Sequence, residues 1–102
     1  MTPEGKVQAH LRKRVKALGG ETRKVKWEAH RGAPDILVML PPTVATGWGG
    51  EDCLAPTVLL VEVKAPREKP EPHQVREHAT LRKFGWRVEV VDSIERVEEV
   101  LR

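Results

Sequence analysis

Apolar positions recur at distinct spacings along the chain, and each spacing predicts a different element. Val7, Leu11, Val15 and Leu18 return every four or three residues behind Thr2-Pro3, an N-cap side chain followed by a proline suited to the first helical turn. A helix is predicted there, closed by Gly19-Gly20. Residues 21–28, ETRKVKWE, set Val25 and Trp27 on one side of an alternating pattern and predict a half-exposed strand, followed by a turn at RGAP, 31–34. DILVML, 35–40, is wholly apolar after its first residue, as suits a strand covered on both faces, and Pro41-Pro42 ends it. Residues 41–56, PPTVATGWGGEDCLAP, read as a long loop with Trp48 exposed at its tip.

TVLLVEVK, 57–64, is the second strongly apolar strand, stopped by Pro66, Pro70 and Pro72. A helix is predicted from about Glu71 to Phe84, with Gln74, His78 and Leu81 on one face. WRVEVV alternates as a strand, and Asp92 or Ser93 caps a last short helix carrying Ile94, Val97 and Leu101 on one stripe. The order is helix, three strands, helix, strand, helix, with no internal repeat, and 102 residues fit a single domain, 1–102.

Composition narrows the function classes. Hydrophobic residues at 39% and charged residues at 32% are a globular balance. The formal charge is only +3, yet residues 1–26 hold eight Lys or Arg against Glu4 and Glu21, an asymmetry that favours a polyanionic partner or simply a solvated helix face. Cys53 is the single cysteine, so no intrachain disulfide forms, and with His10, His30, His73 and His78 it makes no zinc-ligand spacing. No apolar run approaches the roughly 20 residues of a membrane span, and a reducing, cytoplasmic setting is expected.

Candidate chemistry begins where the 57–64 strand breaks its apolar rule. Glu62 and Lys64, two apart, point the same way, while Val61 and Val63 point the other. Asp35 opens the other apolar strand, and if the two strands are neighbours its carboxylate meets that of Glu62. Two such charges at about 4 Å repel by roughly 4 kcal/mol at an effective dielectric of about 20. Lys64 offsets part of that charge, and a hard divalent cation with oxygen ligands offsets it better. Metal-assisted phosphodiester hydrolysis is the chemistry such a set supports, whereas spacing alone also allows a surface salt-bridge ladder.

Taken together, APDILVML, LLVEVKAP and PHQVREHATLRKFGWRVEVVDS resemble the VRR-NUC (virus-type replication-repair nuclease) family of the PD-(D/E)XK superfamily over essentially the whole chain. The resemblance implies an α/β, restriction-endonuclease-like core, a mixed sheet flanked by helices. It also implies a magnesium- or manganese-dependent nuclease acting on repair and recombination intermediates. Pro34-Asp35 matches the PD element, making Asp35 a metal ligand. Glu62-Val63-Lys64 matches ExK, with Glu62 as the second carboxylate ligand, the Val63 carbonyl in the metal sphere and Lys64 as the catalytic lysine. Gln74 matches the glutamine opening the following helix, and Glu4 takes the acidic position of the first helix. Free-standing members look suited to act as homodimers on four-way DNA junctions, and a short domain fits a phage or prophage source.

Each position also has a plainer role. Glu4 suits the helix dipole, Gln74 a helix cap, and His73 and His78 packing or solvent. Lys6, Lys13, Arg31 and Arg67 are candidate DNA contacts, with His30 beside Arg31, and Trp48 could stack on an unpaired base. A branched-DNA endonuclease is therefore expected. The alternatives are a non-catalytic nucleic-acid-binding module on the same fold, which would bind with steep salt dependence and no turnover, or a flap- or duplex-cutting nuclease.

Overall fold

The computed structural model describes residues 1–46, 49–50 and 52–102. Its elements follow the predicted order: α1 (Pro3–Ala17), β1 (Glu21–Lys24), β2 (Ile36–Thr46), β3 (Asp52–Val63), α2 (Pro72–Lys83), β4 (Val88–Val91) and α3 (Ile94–Val100). The strands form one sheet in the order β1-β2-β3-β4, antiparallel except for the β3–β4 pair. The mixed α/β architecture expected from sequence is thus observed.

Alternation along the strands divides the core into two layers. Ile36, Val38, Leu59, Val61, Val63 and Val91 turn to one face, where Val7, Leu11 and Val15 of α1 and Val97 and Val100 of α3 cover them. Leu60 and Val88 turn to the other, beneath Leu81 of α2, with Trp27 and Leu37 packed alongside. Fully burying a side chain of this kind is worth about 1.5–3 kcal/mol, so the first layer supplies most of the stabilisation. The second is thinner, and polar groups lie at its edge.

Local signals set the helix ends. The Thr2 hydroxyl accepts the Gly5 N–H at 3.0 Å, Ser93 accepts the Arg96 N–H at 3.0 Å, and the Gln74 side chain accepts the Glu71 N–H at 2.8 Å. These caps satisfy N–H groups that a helix start leaves without an internal partner.

The structure corrects several expectations. Most of the 41–56 loop is strand: Thr43–Thr46 pair with Asp52–Ala55 in a two-stranded ribbon. Pro41 and Pro42 do not end β2, because they lie beyond Met39, the last residue paired with β1, and within the register break between Leu40 and Thr43. Proline's missing N–H therefore costs no ladder bond there. Val44 and Leu54, partners across the ribbon, are 68% and 70% exposed. The expectation for Trp48 lies outside the described residues.

Strand β1 ends at Lys24, so residues 25–28 leave regular structure although Val25 and Trp27 keep their inward alternation. DILVML is fully covered only at Ile36 and Val38, with Leu37 and Met39 half-buried. On α3, Val100 joins Val97 in the core and Ile94 is exposed.

Candidate active site

Strand pairing, rather than chain proximity, brings the principal candidates together. Ile36 stands opposite Val61 and Leu37 opposite Leu60. One step further along the antiparallel register sets Asp35 opposite Glu62, on the face shared by Leu37 and Leu60. Directly opposed side chains in such a pair have Cβ atoms about 5 Å apart.

The approach to Asp35 is fixed by main-chain and indole hydrogen bonds. The Val25 N–H donates to the Asp35 carbonyl at 2.8 Å, and the Trp27 indole Nε1–H donates to the Pro34 carbonyl at 2.7 Å. Gly32 lets the turn close on α2: its φ is +90°, and an added Cβ would lie 2.8 Å from the His73 ring and 3.1 Å from the Gln74 Cα. No larger residue fits there without displacing the start of α2. The Asp35 side chain itself is half-buried, with Lys24 Nζ 3.3 Å from its Oδ2.

Glu62 is held differently. It is buried, at 9% exposure, and its Oε1 accepts a hydrogen bond from Gln74 Nε2 at 3.2 Å. Gln74 thus caps α2 with its oxygen and supports Glu62 with its nitrogen, so the two roles considered for it coexist. One turn along α2, the His78 ring lies 2% exposed with Nε2 at 3.9 Å from the same Oε1. Burial, and secondarily the Asp35 carboxylate, raises the Glu62 pKa from the ordinary 4.5 to about 7; Glu4 adds to the rise, while Lys64 and Lys24 oppose it. Burial also lowers the pKa of His78, helped by Arg82 and Lys64 and opposed by Glu77.

The remaining candidates surround this pair unequally. Lys64 follows β3 directly, half-buried, with its N–H bonded to the Val91 carbonyl at 2.9 Å. Glu4, at the start of α1, is exposed but close enough for its charge to be felt at Glu62. Lys6 shares an open cleft of about 350 Å³ with Pro3, Pro66 and Ile94, which joins the start of α1 to the segment leaving Lys64. Arg67, at φ +70°, and Arg31 are exposed on the loops after Lys64 and before Asp35. Lys13 is not brought to the pair: nine residues of helix put it about 14 Å along α1 from Glu4. His30, Lys24 and Lys26 instead line an open groove of about 390 Å³ beside Asp35.

Sequence reasoning missed Lys24, the Trp27 clamp and the aim of His78. The last was legible in part, since a spacing of four puts His78 on the Gln74 face. The others depend on strand register.

Among the described residues, no three His, Cys, Asp or Glu side chains gather as a metal-holding group. A cation here would need ligands beyond Asp35 and Glu62, and the backbone offers one. The N–H groups of Leu60 and Lys64 both point to β4, bonding the carbonyls of Arg87 and Val91 at 2.9 Å, so the carbonyl of Val63 turns toward β2. Its register partner there is Pro34, which has no N–H to donate. Two opposed carboxylates and a carbonyl without that donor are hard oxygen ligands, and they fit magnesium or manganese completed by water or phosphate oxygens.

Comparison with known proteins gives the chain a family and a fold. The family described as VRR-NUC domain matches residues 3–95. "Putative nuclease p44" of Acyrthosiphon pisum secondary endosymbiont phage 1 is 40% identical over 90 residues, which span 88% of this chain and 83% of that protein. A solved structure described as a VRR_NUC domain superposes with a TM-score of 0.79 at 41% identity, covering 99% of this chain and 96% of the other. Among the described residues no helix is long and apolar enough to cross a membrane.

Proposed function

The chain belongs to the VRR-NUC domain family of nucleases, and from that premise we propose that it is a divalent-metal-dependent, structure-selective DNA endonuclease that resolves four-way junctions in replication, recombination or repair. One observation carries the reading. Asp35 and Glu62 face each other across two central strands, and burial together with Asp35 keeps the Glu62 pKa near 7. Strongly perturbed carboxylates of this kind cluster at functional sites, where a cation or a reaction uses the pair.

In this reading Asp35, Glu62 and the Val63 carbonyl hold a magnesium or manganese ion. An ion held there would supply Lewis-acid chemistry, polarising the scissile phosphate and lowering the pKa of a bound water. Lys64, on the face of Glu62 at the end of β3, orients the attacking water and faces the negative charge that builds on phosphorus. Gln74 fixes the Glu62 carboxylate. Glu4 adds negative charge at the rim, and Lys6, Arg31 and Arg67 bind flanking phosphates, with Lys13 reaching a phosphate further from the cut. Two copies of the chain place two such sites on a four-way junction, so a homodimer is the working unit. The phage origin of the p44 relative supports an enzyme that acts on DNA in a bacterial cytoplasm.

The test is cleavage of a labelled four-way junction, a flap and a plain duplex with Mg²⁺ or Mn²⁺, alongside Asp35→Ala and Lys64→Ala and a mass measurement in solution. Paired nicks in the junction, lost in both variants and in chelator, are expected from a dimer. Undiminished cutting by both variants ends the reading, and a preference for flaps or duplex replaces its substrate.

A further inference from the structure

The feature of α2 left unexplained is His78. Its ring is 2% exposed, and among the described residues its buried Nε2 has no hydrogen-bond partner, a costly condition for a polar atom. An apolar residue at this buried position would carry no such cost. Among the described residues, the acceptor paired with that nitrogen is Glu62 Oε1, at 3.9 Å. That is beyond hydrogen-bond distance, but a closure of under about 1 Å would bring it within range, and site hydrogen bonds commonly tighten only when ligand binds.

We infer that His78 is a positioning residue for Glu62, donating its Nε2–H to Oε1 from one helical turn below Gln74. The inference rests on the nuclease reading for its consequence but not for its geometry. Gln74 and His78 are four residues apart, so they approach from the same helix face and converge on one carboxylate oxygen. Both donors on Oε1 fix the plane of the carboxylate and leave Oε2 free of these two partners. This is the arrangement by which supporting hydrogen bonds orient a ligand, and loss of such a partner generally costs about 10- to 100-fold in metal affinity or activity.

Neither measurement that tests the inference depends on the other. In the metal-free protein, imidazole nitrogen NMR is expected to show a neutral ring protonated at Nε2, whose signal shifts in Glu62→Gln. A ring protonated only at Nδ1, or an Nε2 signal indifferent to Glu62→Gln, overturns the inference whether or not the protein cuts DNA. In Mn²⁺ titrations read by electron paramagnetic resonance and by junction cleavage, His78→Leu fills the same space without a donor. It is expected to raise half-saturating Mn²⁺ and lower kcat by about 10- to 100-fold with KM for DNA unchanged, and His78→Gln to restore most of both. Equal losses in the two variants, or wild-type behaviour in His78→Leu, overturn it. Should the wild-type protein cut no DNA while the NMR result holds, the nuclease reading falls and the support of Glu62 by His78 stands.

Discussion

The two carboxylates of the site are held in opposite ways. Glu62 lies at the end of a central strand, buried, gripped by Gln74 and backed by His78, and its pKa is raised to about 7. Asp35 lies just before β2, half-open, with Lys24 as its ion-pair partner, its carbonyl bonded by the Val25 N–H and the preceding Pro34 carbonyl by Trp27. The interior thus stores unfavourable electrostatic energy at Glu62 and leaves Asp35 accessible. A carboxylate pair divided this way is preformed on its buried side and open to solvent on the other.

Substitutions can break that contrast, and the largest effects separate activity from stability. Asp35→Asn and Glu62→Gln are both expected to reduce cleavage by on the order of 10³-fold, measured as single-turnover rates. In thermal denaturation without metal they should diverge. Asp35→Asn stays within about 0.5 kcal/mol of wild type, as surface changes do. Glu62→Gln should be stabilising at neutral pH. The folded state keeps the Glu62 proton up to about pH 7, whereas the unfolded chain releases it near 4.5, so wild-type stability falls as pH rises through that window and stays lower above it. At about 1.4 kcal/mol per pKa unit, a rise from 4.5 to about 7 makes the gain about 3.5 kcal/mol well above pH 7, vanishing below 4.5. His78, with its lowered pKa, acts in the opposite direction as pH falls, so the difference between variant and wild type at each pH isolates Glu62.

Gly32→Ala tests whether the accessible half depends on the buried one. Its positive φ and the approach to His73 and Gln74 predict a loss of about 1–3 kcal/mol in chemical denaturation, with slower cleavage because the start of α2 moves. Gln74→Ala removes a helix cap and the Glu62 donor together. It should cost about 1 kcal/mol and raise the Mg²⁺ needed for half-maximal cleavage. The smallest effect belongs to Lys24→Ala. The Lys24 and Asp35 side chains are 59% and 47% exposed, so stability should change by no more than about 0.5 kcal/mol. The Mg²⁺ requirement should fall slightly, because a competitor for Asp35 is gone.

The sequence made the buried half legible and the open half less so, for physical reasons. Glu62, Lys64, Gln74 and His78 occur within 17 residues, where strand alternation and helical spacing decide who shares a face. Asp35 was recognisable as the polar start of an apolar run, but its meeting with Glu62 required β2 and β3 to be neighbours. The positions of Lys24 and Trp27 followed from pairing that no local period encodes. Pro41-Pro42 misled because proline's usual veto on strands lapses at an open edge and a register break, where no N–H is wanted. The ribbon's exposed Val44 and Leu54 likewise lacked the buried face that makes a strand visible as a pattern.

The thin attachment of residues 25–34 has a consequence for dynamics. They lie outside regular structure, between a four-residue edge strand and β2, whereas Glu62 belongs to the most densely paired part of the sheet. Amide exchange should therefore be fastest in this segment and slowest along Leu59–Val63. Excursions that lift the edge would separate Asp35 from Glu62 while the rest of the protein stays intact. Catalytic competence would then melt at a lower temperature than the fold itself.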